Sequence, residues 1–123
     1  KNPKVAVVAG ISMSNSAMPE TLEAEKLTEM NKRGEIKDCI VDGPLSMDLA
    51  ISEESAKIKG VNRRINGDAD IILFPDVHAA NIAYKILTHL GDLKSGNIII
   101  GTRQPVSLSS RGDSVDVKLN SII

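Results

Sequence analysis

Short apolar segments alternate along this chain with segments of helical periodicity, and this order constrains the fold more than any other feature. The four apolar segments, each predicted to be a strand, are Val5–Ala9, Cys39–Val41, Asp70–Phe74 and Asn97–Ile100. Strands that are apolar at successive positions are typical of parallel sheets whose faces are both covered. The sequence therefore predicts an α/β fold with a mostly parallel sheet flanked by helices.

Four helical segments follow the predicted strands. They are Pro19–Arg33, Met47–Lys59 as one helix or as two pieces broken near Ser52, Ala79–Leu90, and Val115–Ile123. Proline suits the first turn of the first helix, and Gly34 is a natural stop after it. The side chains expected to form the apolar stripe of that helix are Leu22, Ala24, Leu27 and Met30.

Composition excludes several classes of function. The net charge is −1 and aromatic residues are 2% of the chain, so neither a basic field nor stacking platforms are available for nucleic acid. No apolar run has the roughly 20 residues that a membrane helix needs. The single cysteine, Cys39, rules out an internal disulfide and is expected to be a buried, inert thiol. A cytoplasmic location fits these features.

The ends of the chain predict a piece of a longer protein. The first strand begins within a few residues of the start, and the last helix runs to Ile122 and Ile123 without a stop signal. A length of 123 residues suits one compact domain. We therefore expect residues 1–123 to be a single α/β domain that is truncated at both ends.

Ligands of open α/β sheets bind beyond the carboxyl ends of the strands. Four segments are expected to meet there: Gly10–Ser16, Asp42–Asp48 with a turn at Asp42-Gly43-Pro44, Pro75–Asn81, and Gly101–Asp113. The serine hydroxyls of the first segment could contact phosphates or pantetheine amides, although a solvated loop is an equal alternative. Asp76 and Asn81 could simply cap the following helix. His78 lacks a visible carboxylate partner, and no group of residues has metal-ligand spacing.

The segment from Ser107 to Ser114 is the strongest candidate for an anion site. It combines hydroxyls with Arg111, whose guanidinium matches phosphate or a developing oxyanion, and with Gly112, which permits close backbone approach. It also leads into a helix, whose N-terminus favours anions. The alternative is purely structural: Asp113 or Ser114 would cap the helix, with an acid at Asp116 as in a capping box.

Three blocks of the chain resemble the phosphate acetyl/butyryltransferase family in order and spacing. The matching positions are Val41–Leu45 with Asp48, then Phe74–Asp76 with Asn81, Tyr84 and Lys85, then Pro105–Val106 with Ser110–Gly112. Asn15–Pro19 and Ser110–Ser114 are more similar to phosphate butyryltransferases than to acetyltransferases. The resemblance covers almost the whole chain.

This resemblance implies a two-domain, isocitrate/isopropylmalate dehydrogenase-like fold, of which this chain would be the C-terminal-side part. It implies a homodimer with the active site between domains, the N-terminal-side domain being absent here. The implied enzyme transfers a short acyl group, butyryl or similar, between coenzyme A and inorganic phosphate. Coenzyme A would be a substrate, with no tightly bound cofactor and no metal.

The resemblance also suggests roles for individual residues. Ser110 would contact the sulfur or the reacting carbonyl, and Arg111 would stabilise the charge of the tetrahedral oxygen and the phosphate. Acetyltransferases carry an aspartate seven positions after this serine as the proposed thiol base, where this chain has Val117. The nearby acids are therefore also catalytic candidates: Asp113 and Asp116. The candidate substrate- and CoA-binding residues are Ser12, Ser14, Asn15, Asp42, Gly43, Pro44, Asp76, Asn81 and Gly112.

Two other functions remain open from the sequence. The first is a non-catalytic acyl-CoA-sensing domain of the same fold, as attached to some malic enzymes. The second is a flavodoxin-like signalling module, in which the Asp42 and Asp76 turns would form an acidic phospho-acceptor pocket. The intact Ser110-Arg111 pair favours the enzyme.

Overall fold

A computed structural model describes residues 2–91 and 93–123 as two compact units. Unit I is Lys1–Ala80 and unit II is Asn81–Ile123, so the boundary falls within a helix. The elements in chain order are β1 (Lys4–Val8), α1 (Pro19–Lys32), β2 (Ile40–Leu45), α2 (Met47–Ile51), α3 (Glu53–Ile58), β3 (Ile71–Leu73), α4 (Val77–His89) and α5 (Val115–Asn120). The second helical segment, for which the sequence allows one helix or two pieces, consists of two helices separated at Ser52.

Unit I contains a three-stranded parallel sheet in the order β2-β1-β3. Alternate side chains of the central strand point to opposite faces. Val7 packs with Ala24 of α1 on one face, while Ala6 and Val8 pack with Leu49 of α2 and other residues on the opposite face. The predicted parallel sheet covered on both faces by helices is therefore confirmed, with three strands.

Strand β2 corrects the prediction of a turn at Asp42-Gly43-Pro44. These residues continue the strand to Leu45, and the pairing register with β1 shifts between Ala6 and Val8. An irregularity of this kind accommodates a proline, which has no N–H to give to the ladder. The Gly43–Pro44 peptide bond is cis. A Cβ atom at Gly43 would lie 2.7 Å from the Cβ of Val7, so only glycine fits between the two strands.

Helix α1 buries a different face from the predicted apolar stripe. Its buried residues are Thr21, Ala24, Thr28 and Asn31, whereas Leu22 is 43% exposed. The polar side chains are buried because each finds backbone partners: the Thr28 hydroxyl donates to the Gly43 carbonyl at 3.0 Å, and the Asn31 amide donates to the carbonyls of Ile36 and Cys39. Cys39 itself is half-buried rather than buried.

The predicted fourth strand at 97–100 is wrong. The backbone there forms only an isolated antiparallel bridge between Ile99 and Val106 within unit II, and Ile98 and Ile100 are 65% and 86% exposed. An apolar run becomes a strand only where a neighbouring strand offers hydrogen bonds. Among residues 2–91 and 93–123, no helix has both the length and the apolarity needed to cross a membrane.

Candidate active site

Two serines that follow neighbouring strands meet in unit I. Ser12 lies after β1 and Ser46 after β2, and the Ser46 backbone N–H donates to the Ser12 hydroxyl oxygen at 2.8 Å. The Lys59 ammonium lies 2.6 Å from a carboxylate oxygen of Asp48 and 3.3 Å from the Ser46 hydroxyl. Hydrogen bonds from Lys59 and then from Ser46 lower the pKa of the Asp48 carboxyl below its ordinary value. The carboxyl ends of these strands therefore carry a connected polar network.

Asp42 is buried inside unit I and is fully engaged by protein donors. Only 3% of the residue is exposed. Arg63 Nη2 lies 2.8 Å from its Oδ1, and the backbone N–H groups of Arg64 and Ile65 donate to Oδ2 at 2.9 and 3.3 Å. A buried carboxylate requires such compensation. Asp42 consequently fixes the backbone of residues 63–65 beside β2.

A cleft of about 540 Å³ lies over this part of unit I. Five predicted binding residues line it: Ser12, Ser14, Asp42, Gly43 and Pro44. It is also lined by donors that the sequence did not single out: Thr28, Lys32, Asn62, Arg63 and Arg64. The cleft thus combines hydroxyl, amide, ammonium and guanidinium groups, which bind phosphates and amides, with the carboxylates of Glu25 and Glu29.

Two other predicted binding residues of unit I have local hydrogen bonds. The Asn15 side chain accepts from the backbone N–H of Ala17 at 2.9 Å, in the turn that precedes α1. The Asp76 carboxylate accepts from the backbone N–H of Ala79 at 2.8 Å, in the first turn of α4. The capping alternative for Asp76 is therefore confirmed, and neither residue lines the 540 Å³ cleft.

Unit II contains a second aspartate whose side chain is buried. The Asp113 side chain is 4% exposed and accepts from the Tyr84 hydroxyl at 3.1 Å, the Asn97 amide at 3.1 Å and the Ser110 backbone N–H at 2.7 Å. Lys85 Nζ lies 4.0 Å from its Oδ1. These contacts join α4, residue 97 and the 107–114 loop. Asp113 therefore holds the backbone of Ser110 in place.

Ser110 and Arg111 line one cleft of about 450 Å³ within unit II. Lys85 and Asn81, both on α4, line the same cleft, and Lys85 Nζ donates to the Ser110 hydroxyl oxygen at 3.0 Å. The Arg111 side chain is exposed there. The cleft therefore presents a hydroxyl, an ammonium and a guanidinium, which can stabilise a negatively charged oxygen or sulfur atom.

Other predicted residues of the loop lie outside this cleft. Ser114 is the N-cap of α5 and accepts from the backbone N–H of Val117 at 3.3 Å, so the capping alternative is confirmed for serine. Asp116 is exposed on α5, and with Gly112 it borders a different cavity of unit II. Among residues 2–91 and 93–123, no three His, Cys, Asp or Glu side chains are grouped to hold a metal ion.

The residues that sequence reasoning missed are mostly the partners of buried acids. Arg63 is far from Asp42 along the chain, Lys85 matches the family pattern but has no role predicted from the sequence, and Asn97 is predicted only to begin a strand. The available signal was indirect, since an aspartate at a strand end or loop that becomes buried requires a cation or several N–H groups. No local sequence pattern identifies which cation or which N–H groups will contact a given aspartate.

Comparison with known proteins assigns the family. The family model described as phosphate acetyl/butaryl transferase matches residues 1–123. The chain belongs to this family. It is 49% identical over 122 residues to the phosphate butyryltransferase of Clostridium acetobutylicum and 51% identical over 122 residues to the phosphate acetyltransferase of Thermotoga maritima, which is 99% of this chain in each case.

Solved structures of the phosphate acyltransferase family agree with the fold. The structure of a branched-chain phosphotransacylase from Enterococcus faecalis V583 matches with a TM-score of 0.86 and 37% identity, over 98% of this chain and 43% of that one. EutD phosphotransacetylase from Staphylococcus aureus matches with a TM-score of 0.76 and 30% identity, over 98% and 38%. The chain spans 40% and 42% of the length of the clostridial and Thermotoga relatives.

Proposed function

We propose that the protein containing this chain transfers a short acyl group between coenzyme A and inorganic phosphate. The observation that carries the proposal is the cleft of unit II, where Ser110, Arg111 and Lys85 present three hydrogen-bond donors beside one another. The family match over the whole chain supports the same reaction. The substrates are acyl-CoA and inorganic phosphate, with no tightly bound cofactor.

The reaction needs stabilisation of negative charge at two places. An oxygen of hydrogenphosphate attacks the thioester carbon, a tetrahedral oxyanion forms, and the C–S bond breaks with its electron pair on sulfur. The proton of the hydrogenphosphate is released to solvent and the sulfur takes up one proton from solvent, which gives acyl phosphate and the thiol of coenzyme A. Donors that are already in position for the oxyanion and the sulfur lower the barrier, and one such donor typically contributes several kcal/mol.

The proposed roles follow from the position of each side chain. Arg111, which is exposed in the cleft, stabilises the oxyanion and the phosphate, and Ser110 contacts the sulfur or the carbonyl. Asp113 positions the Ser110 loop instead of removing a proton, because donors already contact both of its oxygens. Asp116 borders another cavity and has no part in the proposed reaction.

We propose that the cleft of unit I binds polar groups of coenzyme A. Ser12, Ser14 and Arg63 line it, so hydroxyl and guanidinium donors are available to phosphates or to pantetheine amides. Asp42, Gly43 and Pro44 line the same cleft. For Asp42 the proposed role is to hold Arg63 at the cleft rather than to contact the substrate.

The proposal includes the isocitrate/isopropylmalate dehydrogenase-like, two-domain fold of a cytoplasmic homodimer. The coverage of about two fifths of the clostridial relative supports the idea that further chain completes the enzyme. The residues that set the acyl-chain preference are expected to include some outside this chain.

A thiol-release assay on the full-length protein tests the function. Acetyl-, propionyl-, butyryl- and isobutyryl-CoA are each supplied with phosphate, and the appearance of free thiol and acyl phosphate is followed. The proposal predicts release that depends on phosphate, with a preference for one chain length. Binding of acyl-CoA without any phosphate-dependent release would overturn the enzyme and would indicate the acyl-CoA-sensing alternative.

A further inference from the structure

Lys85 is held between a hydroxyl and a carboxylate in unit II. Its Nζ lies 3.0 Å from Ser110 Oγ and 4.0 Å from Asp113 Oδ1. The same atom lies 5.0 Å from the centre of the Tyr84 ring, where the face of the ring attracts a cation. The Lys85 side chain is 36% exposed, so its ammonium is also accessible from the cleft. Three neighbours therefore fix the position of this positive charge.

The contact between Lys85 and Ser110 has a defined direction. An ammonium group carries three donors and no acceptor, so the Ser110 oxygen must accept from Lys85. The hydroxyl proton of Ser110 then points elsewhere, and the hydrogen bonds of residues 2–91 and 93–123 give it no protein acceptor. The backbone of the same serine is fixed because its N–H donates to Asp113 at 2.7 Å. Ser110 is consequently a donor towards the cleft.

We propose that Lys85 is a positioning residue that makes the Ser110 hydroxyl a hydrogen-bond donor to the sulfur of coenzyme A. This inference rests on the proposed function. The ammonium both orients the hydroxyl and polarises its O–H bond, and its charge favours the thiolate over the thiol. Lys85 acts through Ser110, and it performs part of the work that a carboxylate base would otherwise do.

The inference fits the electron flow of the reaction in both directions. When the C–S bond of acyl-CoA breaks, the electron pair stays on sulfur, and the Ser110 hydroxyl stabilises that anion without giving up its proton. In the reverse direction the thiol of coenzyme A loses its proton to solvent, and the resulting thiolate attacks acyl phosphate with phosphate as the leaving group. A lowered thiol pKa raises the fraction of thiolate. A carboxylate base at position 117, where acetyltransferases have aspartate, is then not needed to deprotonate the thiol.

The simplest competing explanation is that Lys85 only stabilises the 107–114 loop. A purely structural role would weaken every interaction of the cleft to a similar degree. A role at the sulfur atom would affect only ligands that carry the thiol. Desulfo-CoA, which lacks the sulfur atom, separates the two explanations because it keeps all other contacts of coenzyme A.

The experiment compares Lys85→Met with the wild type in the full-length protein. We expect Lys85→Met to weaken coenzyme A binding about 10-fold or more at a pH where the wild-type complex holds thiolate, while desulfo-CoA binding is unchanged. In the direction from acyl phosphate to acyl-CoA, the rise of kcat with pH, which reports the thiol pKa in the bound complex, should move to higher pH by about one unit or more. Lys85→Arg should restore part of both properties, since it keeps the charge.

Control variants and the wild-type activity make the outcomes distinguishable. Lys94→Met, at an exposed lysine of the same unit, should behave as wild type in both measurements. The double variant Ser110→Ala/Lys85→Met should bind coenzyme A only slightly more weakly than Ser110→Ala alone, because Lys85 acts through the serine. Equal losses for coenzyme A and desulfo-CoA, or an unmoved pH profile, would overturn the inference. A wild-type protein that releases no thiol would instead overturn the proposed function.

Discussion

Units I and II contain similar hydrogen-bond networks around an aspartate but differ in how many hydrophobic residues they bury. Each has an aspartate with a buried side chain that accepts from at least one backbone N–H and lies near a cation: Asp42 with Arg63 in unit I, and Asp113 with Lys85 in unit II. Among residues 2–91 and 93–123, however, the ten buried hydrophobic residues all lie between Ala6 and Ile65 in unit I. Helices α4 and α5 have no buried residue among those described.

This difference indicates how each cleft is kept in shape. In unit I the side chains of the cleft extend from a sheet with packed faces, so their positions depend on a hydrophobic core. In unit II the Ser110 loop depends on a polar network, while apolar side chains such as Ile82 and Ile86 are 60% and 52% exposed. Large exposed apolar surface is typical of a surface that other protein covers. Perturbations should therefore affect the two units differently.

The largest expected effect is on catalysis through unit II. Arg111→Ala in the full-length protein should lower turnover by about 10²-fold or more, because a donor to the developing negative charge is lost. Thermal unfolding should hardly change, since the Arg111 side chain is exposed. Arg103→Ala, at another exposed arginine of the unit, is the matched control. Unchanged turnover in Arg111→Ala would remove this residue from the mechanism.

A second prediction tests the packing of unit I. Gly67 has a φ of +85°, and a Cβ atom there would lie 2.0 Å from the backbone nitrogen of Glu53. Gly67→Ala should lower the free energy of unfolding by about 3 kcal/mol, from the left-handed backbone together with the overlap. Denaturant unfolding of the protein measures the change.

Gly34 provides the control for Gly67. Its φ is +77°, but a Cβ atom there would meet nothing within 4 Å. Gly34→Ala should therefore lower the free energy of unfolding by about 1 kcal/mol, from the left-handed backbone alone. An equal loss of unfolding free energy in the two variants would show that the backbone of Glu53 leaves room for a Cβ atom at Gly67.

Amide hydrogen exchange of this chain compares the two units directly. Amides of β1, such as those of Val7 and Val8, should exchange on the order of a hundredfold more slowly than those of α5, such as that of Lys118. The reason is that β1 is the central strand of a sheet with packed faces, whereas α5 buries no residue. Similar protection in β1 and α5 would contradict the contrast between a core-based and a network-based unit.

The smallest effect concerns pH and the serine network of unit I. Lys59 and Ser46 lower the pKa of Asp48 in the folded protein, so the contribution of this contact is present above the pKa of an unfolded aspartate, about 3.9. It is lost as the pH falls through the lower, folded pKa. An NMR titration of the Asp48 carboxyl should therefore have a midpoint below the ordinary value, and Lys59→Met should raise that midpoint. If Lys59→Met leaves the midpoint unchanged, Lys59 does not lower the pKa of Asp48.

Local signals in the sequence predicted much of unit I. The apolar run at Val5–Ala9, the proline at the start of α1 and the break at Ser52 each depend on neighbouring residues, and each prediction agrees with the structure. The prediction of a strand at 97–100 was wrong. Its apolar run resembles that of Val5–Ala9, but its backbone pairs with other residues at a single bridge. Periodicity describes a segment, and strand formation also requires a second segment.

The candidate site was predictable only in part for a related reason. The loop containing Ser110 and Arg111 could be identified from its residue types and from family resemblance. Its organisation depends on Lys85, which is 25 residues away from Ser110, and on Asn97, which no local pattern connects to Asp113. The buried polar face of α1 was missed because burial of Thr28 depends on the Gly43 carbonyl across the fold.

The side chain of Asn31 has a consequence for attaching probes to this protein. Its amide group donates to the carbonyls of Ile36 and Cys39, and its oxygen accepts from the Val41 N–H and the Arg64 guanidinium, so its hydrogen-bonding capacity is filled. No other natural side chain offers two donors and two acceptor sites at the same length. The opposite side of α1, which includes Lys26, is exposed, and a fluorophore or surface tether can be placed there without disturbing the sheet.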